Sequence, residues 1–94
     1  MKATEILKTA HEIVSNDRAE KHGDMKETHE LIADYWNLYL ITRQDVGKIT
    51  ARDVAIMMVL LKIARSQKGK FNADDYIDIA GYAACAVQIE TDNE

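Results

Sequence analysis

The chain reads as all-α: a four-helix domain of two antiparallel helical hairpins, completed by oligomerisation. Three observations predict this. Proline is absent and glycine occurs only four times in 94 residues, so little in the composition forces a break inside long helices. Apolar residues recur with helical spacing in four separate stretches. Three of those stretches open on a residue pattern that caps helix starts. The apolar share, 47%, is large for a domain able to bury only a modest core, which points to subunits packing together. Residues 1–94 make one domain.

From about Thr4 to Ser15, Ile6, Leu7, Ala10, Ile13 and Val14 mark one apolar face and define the first helix. Asn16 to Met25 breaks that pattern with charged residues and the turn-forming Gly23-Asp24 pair. Asp24 followed by Glu27 fits a capping box, and Leu31, Ile32, Tyr35, Trp36, Leu38 and Tyr39 carry the second helix to Thr42 or Arg43. Gln44 to Ile49 is a connection of ordinary length. Thr50 with Asp53 signals the third start, and Val54 to Ala64 is apolar almost all the way round apart from Lys62. Ser66 to Asn72 forms a turn. Asn72 with Asp75 opens the fourth helix, which continues through Ile89, and its Ala80, Gly81, Ala83 and Ala84 leave room for a close helix approach. The polar residues Thr91 to Glu94 read as a frayed end.

Several functional classes are excluded by composition. Twelve basic against sixteen acidic side chains give a net charge of -4, and no basic face is dense enough to neutralise several phosphates of a nucleic acid. No run approaches the roughly 18 apolar residues of a membrane span, and the amino terminus lacks a signal-peptide pattern. A cytoplasmic protein is expected, with neither membrane nor nucleic acid as partner. Cys85 is the only cysteine, so the chain forms no internal disulfide, and its alanine neighbours mark it as a small packing residue. No Walker loop, Rossmann glycine pattern, nucleophile elbow or His-x-x-x-His pattern is present. Tyr35, Trp36 and Tyr39 read as a core stripe rather than a base-stacking platform.

The informative polar residues lie in the apolar half. Lys62 and Arg65 share one helix face, Asp75 and Asp78 another. Folding about Lys70 sets Lys62 level with Asp78 and Arg65 level with Asp75. Two readings stand: an ion-pair clasp between the helices, or a place where a metal and a phosphorylated ligand sit. Carboxylates at i, i+3 or i+4 on neighbouring helices can converge on a hard cation such as magnesium, which takes oxygen ligands and keeps waters for a phosphate. Glu27, Glu30, Asp75 and Asp78 are the candidates for that role. Glu27, Asp53 and Asp75 each also fit the closing position of a capping box, whereas Asp78, a full turn into its helix, escapes that explanation. Tyr82, four residues after Asp78, is placed to offer a hydroxyl to a ligand or to Asp78. Arg18, in the polar stretch before the second helix, is a candidate phosphate clamp or an exposed ion-pair residue.

These residues together resemble a family of small phage and prophage proteins of unknown function. The matching strings are Asp17-Arg18, Gly23-Asp24, Ile32-Ala33 with Trp36, Asp53-Val54-Ala55, Met57 through Arg65, and Asp75 through Asp78-Ile79-Ala80-Gly81-Tyr82-Ala83. More distantly, the Arg, Gly-Asp and Asp-x-x-Asp-x-x-x-Tyr arrangement is similar to phage domains associated with nucleotide modification and to MazG-like helical nucleoside-triphosphate pyrophosphohydrolases. That resemblance implies magnesium held by Lys26-Glu27-x-x-Glu30 and Asp75-x-x-Asp78, with Lys26 standing where those enzymes have a carboxylate. The expectation is an oligomer that binds a nucleotide or other phosphorylated small molecule. Lys62, Arg65, Arg18 and Tyr82 would contact the ligand, and magnesium-dependent pyrophosphohydrolysis is the implied chemistry. The alternative is a non-catalytic helical module that binds a host or phage protein, its charged pairs purely structural.

Overall fold

A computed structural model describes residues 1–15, 24–44 and 46–92. Four helices follow one another among the described residues: α1 (Ala3–Ile13), α2 (Met25–Thr42), α3 (Ala51–Ser66) and α4 (Ala73–Thr91). The all-α expectation holds. Three starts lie where the capping patterns placed them, because Asp24, Thr50 and Asn72 are the extended residues before α2, α3 and α4. Each side chain accepts from a backbone N–H that the first helical turn leaves without an internal partner. Only Thr50 completes the reciprocal box, with Asp53 accepting in return from the Thr50 backbone N–H. At Asn72 the acceptor serves Asp74, so the Asp75 carboxylate is not used for capping.

The main packing sets α2 against α3 and α3 against α4. Side-chain pairs give the direction. Lys62 meets Asp78 and Arg52 meets Glu90, so positions rise on one helix as they fall on the other, and α3 and α4 are antiparallel. The reversal between them uses Gly69 at φ 70°, a left-handed conformation that costs glycine little. Phe71, at the end of that turn, stacks on Tyr76 at 5.8 Å between ring centres.

Between α2 and α3 three aromatic tips act as tethers. The Trp36 indole N–H donates to the Met57 carbonyl at 2.7 Å, the Tyr39 hydroxyl donates to Asp53, and the Tyr35 hydroxyl accepts from Gln67. These rings are half-buried core residues, and each satisfies its polar end across the helix pair.

The apolar side chains buried among the described residues are Ile32, Ala55 and Ala64. α1 buries none of its residues even though its apolar positions fall on one face. The Cα radius of gyration, 15.8 Å, exceeds the roughly 12 Å of a compact chain of this length. Gly81 does not mark the α3 contact either, since a Cβ placed there meets nothing within 4 Å. α4 turns Asp75, Asp78, Ile79, Tyr82, Ala86 and Ile89 to more sheltered surroundings and leaves Ile77, Gly81, Ala84, Cys85 and Val87 open.

Candidate functional site

The seam between α3 and α4 brings together part of the predicted constellation. Lys62 Nζ lies 2.9 Å from Asp78 Oδ2, with 15% of the lysine side chain and 42% of the aspartate exposed. Tyr82 sits one turn further on, and Ile77, Asp78, Gly81, Tyr82 and Cys85 line an open cleft of about 330 Å³ along α4. The pairing foreseen for Lys62 is therefore present, but Asp78 is half-exposed rather than sealed between helices.

Asp75 is the buried member instead. Its residue is 2% exposed, and its Oδ2 has no hydrogen-bond partner among the described residues. A carboxylate oxygen withdrawn from water without a donor is costly, and such groups are rare enough to require an explanation. The level arrangement of Arg65 with Asp75 does not produce an ion pair, and Arg65 stays half-buried on α3.

The remaining acidic candidates lie elsewhere. Glu27 is exposed in the first turn of α2 with Lys68 Nζ at 3.9 Å, and Glu30 is exposed with Lys26 at 3.8 Å. Among the described residues no three His, Cys, Asp or Glu side chains are grouped closely enough to hold a metal ion. Arg18, with the Gly23-Asp24 turn's glycine, lies outside the described residues.

A second polar cluster, at the junction of α2 and α3, was only half visible in the sequence. Asp53 is 3% exposed. Its Oδ1 accepts from the Tyr39 hydroxyl at 2.6 Å, and its Oδ2 accepts from the Thr50 backbone N–H at 2.8 Å, from the Thr50 hydroxyl at 3.0 Å and from the Arg43 guanidinium. Arg43 also donates to the Gly47 carbonyl, while its buried Nε meets no partner among the described residues. The Tyr39 hydrogen bond, then the Thr50 backbone N–H, then the Thr50 hydroxyl and the Arg43 charge hold the Asp53 carboxyl down at about 2 against the opposing effect of burial. Burial first, then the hydrogen bond to Asp53 and its negative charge, push the Tyr39 phenol up. With its acceptor sites filled by the chain's own donors, Asp53 fastens α2 to α3. The Thr50–Asp53 capping signal announced its role; Arg43 and Tyr39 carried no local signal because they reach it only when α2 packs on α3.

No helix among the described residues is long and apolar enough to cross a membrane. Comparison with known proteins fixes the family. Residues 5–90 match the model of Domain of unknown function (DUF6378). The Gene 55 protein of Mycobacterium phage L5 is 49% identical over 78 residues, 83% of this chain and 47% of that protein. The Gene 55 protein of Mycobacterium phage D29 is 33% identical over 84 residues, 89% of this chain and 52% of that protein. The chain thus spans about half the length of these relatives, and no solved structure matches it. With almost its whole length matched, the chain belongs to the DUF6378 family of phage proteins.

Proposed function

We propose that this protein binds a phosphorylated small molecule of the nucleotide class at the α3–α4 seam. The observation that carries the reading is Asp75, a buried carboxylate with an unsatisfied oxygen one turn before the Lys62–Asp78 pair. A cation is the natural complement of such a group. Magnesium suits it, since that ion needs only one or two protein carboxylates when phosphates and water supply its other ligands. Lys62 and Arg65, with Arg18, are the proposed phosphate contacts, and Tyr82 offers a hydroxyl at the cleft. Glu27 and Glu30, both on α2, are paired with Lys68 from the turn after α3 and with Lys26 and enter the site only if a ligand draws them in. No three-carboxylate metal centre exists among the described residues, so the proposal is binding, with pyrophosphate hydrolysis as its catalytic extension.

Thermal unfolding measured across a panel of nucleoside mono-, di- and triphosphates, with and without magnesium, tests it. A ligand at a hundred times its Kd stabilises the folded state by about 2.7 kcal/mol. Asp75→Asn should abolish that shift and, by replacing a buried carboxylate that has an unsatisfied oxygen, leave the ligand-free protein as stable as the parent or more so. Absence of a shift with every nucleotide sinks the proposal.

A second reading has its own support. The short Lys62–Asp78 contact and the open apolar faces of α1 and α4 fit a non-catalytic interaction module for a host or phage protein, the charges serving as a clasp. In that case Asp75→Asn changes stability alone.

A further inference from the structure

We infer that the open face of α4 is the contact surface of a homodimer, with two copies crossing antiparallel at Gly81. This stands independently of any ligand. The accessible surface of the chain is 6997 Å², against roughly 5,500 Å² for a compact monomer of 10.6 kDa. The surplus is about 1,500 Å² per chain, and a pair of chains hiding it would bury about 3,000 Å², within the range of obligate dimers. A standard interface needs only about 800 Å² from each partner. The open face of α4 and the bare apolar stripe of α1 are the exposed apolar surfaces that can supply it.

The α4 face is shaped to meet itself. Ile77 projects, 64% exposed, while Gly81 one turn on faces open space among the described residues and Cys85 a further turn on lines the same cleft. A two-fold axis requires one patch to hold both a knob and its hollow. With the axis at Gly81, Ile77 of one protomer stands level with the partner's Cys85, because the two positions lie four residues either side of the glycine. Missing side-chain bulk at the crossing lets the backbones approach closely, as it does wherever small residues line a helix contact. The second copy then closes the cleft beside Asp78 and Tyr82.

Sedimentation equilibrium of the chain without nucleotide or magnesium is the first test, and the expected mass is twice 10.6 kDa. Gly81→Leu should yield a monomer with unchanged helical circular dichroism, since a Cβ at that position meets nothing within 4 Å among the described residues and leucine favours helix over glycine. Ile77→Cys tests the register. Oxidised gently, it should form a disulfide-linked dimer with the partner's Cys85, whereas residues eight apart on one helix lie about 12 Å from each other, too far for a bridge within the chain. A monomeric parent overturns the inference, as does a Gly81→Leu variant that still dimerises. A dimer in which Ile77→Cys fails to cross-link overturns the α4 crossing. Because none of these measurements involves a ligand, a failed nucleotide screen and a failed dimer are separate results.

Discussion

Where α2 meets α3, one carboxylate answers to four donors. Asp53 is held charged by Tyr39, the Thr50 backbone and hydroxyl, and Arg43, so its folded value of about 2 lies below the ordinary 3.8. A depressed value means that the ionised group favours the folded state. The contribution is complete above the unfolded value and is lost as pH falls from about 4 through 2. An acid titration followed by the fluorescence of Trp36, the single tryptophan, should show this limb, and Asp53→Asn should flatten it while lowering Tm at neutral pH. Tyr39→Phe removes the largest of the favourable interactions. Its expected cost is about 1 kcal/mol, roughly 4–8 °C in Tm for a domain of this size, with the acid midpoint moved upward. An unchanged midpoint in that variant would contradict the assignment of the Tyr39 hydrogen bond as the leading cause.

Lys62 and Asp78 present a different balance. Asp78 is 42% exposed, so water screens the pair and competes for it. A double-mutant cycle of Lys62→Met and Asp78→Asn should return a coupling below about 1 kcal/mol, diminishing in high salt. A coupling of several kcal/mol would mark the pair as the main fastening of the hairpin.

At the level of the elements, the helix starts were legible because each is fixed by a short-range bond between residues two or three apart. Asp24, Thr50 and Asn72 cap where their patterns indicate. Thr50→Ala should cost about 1 kcal/mol by opening the α3 box, seen as a fall in Tm with helical signal retained at low temperature. Gly69→Ala should cost about 1 kcal/mol, through the left-handed conformation that a side chain resists. What the sequence obscured was burial. Asp75 carries the same cap-plus-three spacing as Asp53 and both are buried, yet Asp53 closes a box while Asp75 keeps an oxygen without a partner among the described residues. Spacing along the helix is common to both, and only the neighbouring helices distinguish them. The Lys62–Asp78 contact was readable because an antiparallel turn of known centre fixes which residues lie level. The Arg43–Tyr39–Asp53 cluster was not, since it joins residues ten or more positions apart that meet only through the packing of α2 on α3.

For the molecule as a whole, surface is the governing quantity. A chain that leaves Ile6, Leu7, Ile77 and Val87 in solvent has apolar area still available to an association partner. The main packing among the described residues joins helices consecutive in sequence, α2 with α3 and α3 with α4, through connections of a few residues. Contacts of that kind close short loops and lose little chain entropy before they form, so low contact order should let each subunit fold in microseconds to milliseconds. A bimolecular step obeys a different law, slowing as the protein is diluted. Stopped-flow refolding followed by Trp36 should therefore contain one fast phase indifferent to concentration, and diluting the chain should slow only a later one. Such kinetics would make a helix trio the unit that folds and a pair of chains the unit that endures.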